Sequence, residues 1–423
     1  VIEVALLRGG FTVVFSQSSE LVGAMLAWVI EVALLSGERN KVEINPDATL
    51  DDLKKRVRRT FGRRGVLLTA AGTVLSGSVQ SVHDHLCDGE VLTLYVGHVQ
   101  LAASIDDFAA ILADGSVVTW GAPDKRASKR TQQEQRRNVK HVQATERAFA
   151  AILAEGSIVT WGDPGFGGNS SSVQQQLHNV QQVQASKRAF AAILADGFVA
   201  TWGSARFGGN SKAVQHQLHD VQHIQAADAA FAAIRTDGSV VCWGDAGLGG
   251  NSSAVQAQLQ NVQQVQATSR SFAAILADGS VVTWGHPDLG GSSSAVQDQL
   301  RRVKNVQATA AAFAAILADG HVVTWGHPGC GGNSRAVQQQ LRRVQHIQAT
   351  AAAFAAITAE GGVVTWGHPD YGGQSSAVQD RLRNVRQVQS NQRAFAAILA
   401  DGSVVTWGCL EYGGDSSAVR EQL

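Results

Sequence analysis

Three histidines occupy matched places in this chain: His286, His327 and His368 each follow a Trp-Gly pair and precede a proline. Imidazoles can bind zinc or relay protons, but only when they converge on one point. These three lie 41 residues apart, one step of a repeat, so a repeating fold sets them side by side around a ring. The recurrent Gly-Gly-Asn-Ser, as at Gly167 to Ser170, lacks the Lys-Ser/Thr and following helix of a phosphate loop. The Asp-Gly pairs read as turns, since calcium would need clustered carboxylates. None of Cys87, Cys242, Cys330 and Cys409 lies in a CxxC spacing. Cys242 replaces a strand threonine, and the other three read as free thiols in a reducing compartment. No catalytic residue, metal site or cofactor is expected.

Charge adds little. Lys+Arg and Asp+Glu are both 35, so no global field favours nucleic acid or an anionic membrane. The basic run Lys54, Lys55, Arg56, Arg58, Arg59, Arg63 and Arg64 reads first as the solvated face of a helix, and second as an anionic-surface or nuclear-import patch. The cluster Lys125, Arg126, Lys129, Arg130, Arg136 and Arg137 reads as a surface loop. The apolar run Leu21 to Leu35 is interrupted by Glu31, is short for a membrane span, and lacks the basic start of a signal peptide. The expected location is cytoplasmic, with a nuclear alternative. The chain starts at Val1 without a methionine and stops at Leu423 inside a repeat, as a piece of a longer array would. Val-Ile-Glu-Val-Ala-Leu-Leu occurs at Val1 to Leu7 and again at Val29 to Leu35, so residues 1–28 read as a partial duplicate with no domain of their own.

The elements that position everything else are repeats. Phe-Ala-Ala-Ile-Leu-Ala-Asp-Gly-Ser-Val-Val-Thr-Trp-Gly recurs eight times with small changes, its tryptophans running from Trp120 to Trp407 in steps of 41. One unit opens with the alternating Val180 to Ala185, a strand. A link, Ser186-Lys187-Arg188, leads to Phe190 to Ala195, an apolar run suited to a strand buried on both faces. Asp196-Gly197 is a two-residue hairpin signal, and Phe198 to Trp202 closes the hairpin. Val173 and Leu177, four apart in the connector, suit one or two helical turns or a packed loop. Such a unit has two apolar faces and must stack, and closing the stack into a ring removes its ends. The expected fold is mainly β: a β-propeller of 41-residue three-stranded blades over residues 98–423, with eight copies and seven or eight blades. A solenoid is the second choice, because no polar capping repeat is seen.

These units resemble the repeat of the regulator of chromosome condensation family, above all its short-blade relatives such as the propeller-type β-lactamase inhibitor protein. The shared features are the valine-rich strand, the small-apolar strand ending in Asp-Gly, Val-Val-x-Trp-Gly, and a glycine five residues later: Gly167, Gly208, Gly249, Gly290, Gly331, Gly372 and Gly413. The chain departs from the family's usual glycine at Ser186, histidine at Ala189 and asparagine at Pro164, and from its usual seven blades.

Residues 29–97 read differently. Ile30 to Leu35 and Lys41 to Ile44 suit two strands. Thr49 can cap a helix, with Asp52 three residues on and Leu50, Leu53, Val57 and Phe61 on one face. Val66 to Ala70, Thr73 to Leu75 and Val91 to Val96 suit further strands. With Leu-Ser-Gly at 35–37, Ala71-Gly72 before Val74-Leu75, and Leu92-Thr93-Leu94, this segment resembles ubiquitin-like domains of the α+β β-grasp fold. Ubiquitin ends in a free Gly-Gly, whereas this chain runs on from Gly97, which implies that it is not conjugated. The resemblance places Leu35, Thr69 and Tyr95 on the interaction face. Thr69 and Tyr95 stand where ubiquitin has isoleucine and valine, which implies altered receptor binding.

In an up-down-up blade the links and the loops after Trp-Gly emerge at one end, and the Asp-Gly turns at the other. The links vary, and a uniform frame with one variable face suits recognition. The candidate protein-binding residues are Arg147, Lys187, Arg188, Asp228, Arg270 and Arg393. The plainer reading is solvated loop residues. The expected function is a non-catalytic protein scaffold with an unknown protein partner. The resemblance also implies two narrower roles: the regulatory part of a HECT-type ubiquitin ligase, and guanine-nucleotide exchange on a small GTPase.

Overall fold

A computed structural model describes residues 27–34, 38–62, 65–70, 75, 81–95, 100–112, 115–121 and 138–417. The chain divides into two compact units, residues 1–98 and 99–423. The segment 1–26, the cluster from Lys125 to Arg137, and Leu35, Arg63, Arg64, Ala71 to Val74 and Gly97 lie outside the described residues.

The first unit is built on one amphipathic helix. The Thr49 hydroxyl accepts from the Asp52 amide at 3.2 Å and donates to the Asp52 carboxylate at 2.9 Å, closing a reciprocal cap. The helix, α1 (Leu50–Phe61), buries Leu50, Leu53, Val57 and Phe61, the expected face, and ends at Gly62 in the left-handed region, φ 65°. Lys55, Arg56, Arg58 and Arg59 are on its exposed side. Lys55 pairs with Asp52 at 3.1 Å, and Arg56 donates to the Glu43 carbonyl at 3.0 Å. This is the solvated face anticipated for the basic run. Strands β1 (Trp28–Leu34), β2 (Arg39–Ile44), β3 (Val66–Leu68) and β4 (Val91–Tyr95) form a mixed sheet in the order β2-β1-β4-β3. β1 and β4 are parallel and the outer pairs antiparallel. β3 stops at Leu68, two residues short of the expected end. Leu75 lies in no strand, although its amide donates to the Leu67 carbonyl at 2.9 Å.

The second unit is eight three-stranded antiparallel sheets, one per repeat. Blade one is Gln100–Ala103, Asp107–Ile111 and Val117–Gly121. Blade three is Val180–Ala185, Ala189–Leu194 and Val199–Gly203, and blade eight is Val385–Ser390, Ala394–Leu399 and Val404–Gly408. The middle strand of blade three is buried at every residue. Its alanines let neighbouring sheets approach closely, and Phe190 stacks on Trp202 across the hairpin at 5.2 Å and 23°. The turn is one residue longer than Asp-Gly alone suggests. The Gly197 amide donates to the Leu194 carbonyl, and the Leu194 amide to the Phe198 carbonyl, both at 2.9 Å. Ala195-Asp196 form the turn and Gly197, φ 79°, is its left-handed bulge residue. Phe198 thus falls one residue before the strand and is 48% exposed, contrary to its expected strand place. The connector holds two short 3-10 turns, Pro164–Phe166 and Gln174–Gln176, with Leu177 buried after them.

Each blade offers two different faces. One carries the Phe/Trp pair, and the other carries the alternate residues of the same strands. Blade three packs Ala189, Ala191, Ile193 and Val199 against Val221, Ile224, Phe231 and Trp243 of blade four. This contact recurs through the seven apolar clusters joining consecutive blades. A closed ring of eight needs an eighth such contact, and no apolar cluster among the described residues joins blade eight to blade one. Phe108 and Trp120 of blade one are 45% and 47% exposed, and Ile398 of blade eight 39%. The expectation of a closed ring is therefore not met: the eight blades stack in order with both end faces uncovered.

Candidate functional site

The links are joined to one another by backbone. The amide of Glu146 donates to the Lys187 carbonyl at 2.9 Å, and Lys187 to Asp228 at 3.0 Å. The series continues from Asp228 to Ser269, Ala310, Ala351 and Gln392, and begins with Ile105 donating to Glu146 at 3.1 Å. The result is a belt of hydrogen bonds, one residue from each blade, stepping through the repeat. A hydroxyl at the first link position ties five of the links to their own exit loops, while blade four has Ala227 there. Thr145 donates to the Phe166 carbonyl at 2.9 Å and Ser186 to Phe207 at 2.8 Å, with Thr268, Thr309 and Thr350 making the same bond. Asn391 substitutes its side-chain amide toward Tyr412, at 2.7 Å. Links and exit loops thus share one end of the blades, as the up-down-up reading requires, and they form a framed surface rather than loose loops.

Four of the six candidate residues come together. Lys187 lies between Asp228 at 2.9 Å and Glu146 at 4.0 Å, and Arg188 reaches Glu146 at 3.8 Å. Arg188 also lies over the rings of Phe166 and Phe207, at 4.6 and 5.0 Å, and Arg147 lies over Phe166 at 5.5 Å. Arg393 repeats the arrangement in blade eight, between Tyr371 at 5.0 Å and Tyr412 at 4.8 Å. Arg270 is exposed and makes no ion pair with any described residue. Between the charged arc and Arg393, the links of blades six and seven carry no charge, each a threonine followed by two alanines, Ala310-Ala311 and Ala351-Ala352. Lys187 and Arg188 remain 46% and 45% exposed, so their charges face water while their stems pack.

The sequence reading missed the aromatic residues that hold these arginines: Phe166, Phe207, Tyr371 and Tyr412. Their signal was present, since each stands directly before the recurring exit-loop glycine. It also missed a polar clamp behind the face. Ser211 bonds Thr201 at 2.9 Å and Gln215 at 2.7 Å, and Gln215 donates to the Val199 carbonyl at 2.9 Å. In blade four Cys242 stands in the threonine's place, and burial pushes its thiol up to about 12.

The histidines do not form a centre. His286, His327 and His368 each stand at the first position of the exit turn of a separate blade. His368 Nδ1 accepts from the Asp370 amide at 3.3 Å, whereas His286 Nδ1 is buried without a partner. Among the described residues no group of three His, Cys, Asp or Glu could hold a metal. A cavity of about 430 Å³ lies along the first strands of blades six to eight, walled by amides such as Asn305, Gln307, Gln348 and Gln389. His346 and Arg386 also line it. In the first unit Leu35 is not described, Thr69 is half-buried just beyond β3, and Tyr95 pairs through its backbone with Val66. No helix among the described residues is long and apolar enough to cross a membrane.

No protein-family model matches the sequence, and no curated protein matches it. Several solved structures are similar in arrangement. The computationally designed Ika8 protein is 16% identical, with 74% of this chain and 97% of that chain covered and a TM-score of 0.37. Prp20p from Saccharomyces cerevisiae, whose binding to Gsp1p and histones has been studied, is 15% identical over 55% of this chain and 72% of its own, with a TM-score of 0.35. The CRINKLY WD40 ectodomain of the Arabidopsis thaliana receptor kinase ACR4 is 13% identical over 74% and 97%, with a TM-score of 0.36. At these scores they add nothing to the architecture, which is read from the chain's own sheets: a mainly β fold of eight repeated propeller blades beside a small mixed-sheet unit.

Proposed function

We propose that this chain is a non-catalytic protein-interaction scaffold and that its working surface is the belt of links and exit loops. One observation carries the reading. A hydrogen-bonded frame fixes Arg147, Lys187, Arg188 and Asp228 on one face, the two arginines over half-buried rings, with side chains that differ from blade to blade. Pre-set charged and aromatic groups lower the ordering cost of binding a protein. The first unit is read as a ubiquitin-like attachment, and the location as cytoplasmic or nuclear. The narrower roles, a HECT-type ligase's regulatory part or an exchange factor for a small GTPase, are supported by the repeat resemblance alone.

The test is capture from a native extract with the full chain and with a variant carrying Arg147→Ala, Arg188→Ala, Arg270→Ala and Arg393→Ala. Circular dichroism establishes that both are folded. Specific partners should bind the parent chain and fall at least about tenfold on the variant, as loss of central charged and stacked anchors costs more than 1.4 kcal/mol. Partners retained equally on both would end the proposal for this face. A GTPase or ubiquitin machinery in the lost set would select between the narrower roles.

A further inference from the structure

The two uncovered ends of the blade stack are the two halves of a contact that the chain already makes seven times. On blade one, Leu101, Phe108, Val118 and Trp120 are 66%, 45%, 39% and 47% exposed. Their counterparts in blade three, Val183, Phe190, Ala200 and Trp202, are each 3% exposed or less, under the preceding blade. On blade eight, Ile398 is exposed and Ala396 and Val404 are partly exposed, whereas the matching Ala191, Ile193 and Val199 are buried beneath blade four.

Independent backbone features stop at the same places. Within the stack, the added Cβ of each exit-loop glycine from Gly167 to Gly372 would meet the phenylalanine ring of the next blade at 2.5–2.7 Å, while Gly413 has nothing within 4 Å. Turn glycines from Gly115 to Gly361 lie against the next blade's backbone, while Gly402 is open. Every tryptophan from Trp202 to Trp407 donates its Nε1–H to the glycine carbonyl of the preceding exit loop. The link belt ends with the Gln392 amide and the Ile105 carbonyl, and those two groups do not bond each other within the chain.

We propose that these ends pair between two copies of this chain, the Ile398 face of one seated on the Trp120 face of the next. The occupant is set by complementarity. A Phe/Trp face is covered everywhere else by an Ala-Ile-Val face, and the uncovered Ala-Ile-Val face is on blade eight. Pairing would bring Trp120 Nε1–H to the Gly413 carbonyl and the Gln392 amide to the Ile105 carbonyl of the other copy, continuing both hydrogen-bond series. Because the two patches differ, the contact is heterologous and propagates head to tail.

The test uses the full chain in sedimentation velocity over a concentration series, with Trp120→Asp, Ile398→Asp and their equimolar mixture. The parent should gain mass in steps of 44.5 kDa as concentration rises. Each variant alone should stay at one chain, because each lacks one half of the contact. The mixture should form a particle of two chains and nothing larger, since one sound half remains on each variant. Val118→Lys replaces Trp120→Asp should the latter not fold. A parent chain that stays single at every concentration would overturn the proposal. So would variants that associate like the parent, or a mixture that does not pair.

Discussion

Trp284→Ala lowers the urea unfolding midpoint severely, whereas Trp120→Ala, the same substitution at the matched position of blade one, barely moves it. Trp284 is 4% exposed, stacks on Phe272 at 5.3 Å and donates to the Gly249 carbonyl at 3.1 Å. Truncating it removes a buried indole, opens a cavity between blades and orphans a carbonyl, a loss of about 3–5 kcal/mol. Trp120 keeps a similar stack on Phe108, 5.5 Å, but nearly half of it faces water. Its loss costs about 0.5–1.5 kcal/mol, the worth of an aromatic pair. Circular dichroism is the readout, at a concentration where the mass is that of one chain. Equal costs at the two positions would mean that blade one is covered within the chain.

Gly290→Ala against Gly413→Ala applies the same comparison to backbone. Both glycines lie in the left-handed region, φ 98° and 86°, so both alanines carry strain of about 1–2 kcal/mol. At Gly290 the new methyl would lie 2.6 Å from the Phe313 ring, itself fully buried between blades. Neither ring nor backbone can withdraw, and overpacking adds about 1–3 kcal/mol. At Gly413 the methyl points into open space. Gly290→Ala should therefore unfold at clearly lower urea than Gly413→Ala, with the parent highest. Indistinguishable variants would contradict the placement of blade eight at an uncovered end.

Much of the fold was legible because the period acts as an internal alignment. Eight copies at one spacing give eight sheets, and the alternation within Val180 to Ala185 and the apolar run from Phe190 place the strands. The helix face Leu50, Leu53, Val57 and Phe61 was legible from its helical spacing and its Thr49 cap. Ring closure was not. Phe108 and Trp120 have the same identities as the buried Phe190 and Trp202, and residue type does not record whether a neighbour lies over it. The turn at Gly197 was misjudged by one residue because Asp-Gly serves both a two-residue turn and a bulged three-residue turn.

The link face was legible in position but not in construction. Variability pointed to Arg147, Lys187, Arg188, Asp228, Arg270 and Arg393. It did not reveal that their backbones bond one another across blades, a contact 41 residues distant that no local pattern signals. Nor did it show that Arg188 and Arg393 each lie between two aromatic rings, so that part of each guanidinium's binding capacity is already used within the chain.

The account turns on eight blades stacked in order, with links bonded in series and both ends uncovered. Amide hydrogen exchange along the links, at a concentration where sedimentation gives one chain, tests this most directly. The amides of Glu146, Lys187, Asp228, Ser269, Ala310 and Ala351 should exchange slowly, while that of Gln392 exchanges at close to the rate of an exposed amide. Slow exchange at Gln392, matching its counterparts, would mean that blade eight meets blade one in a closed ring, and would contradict the account.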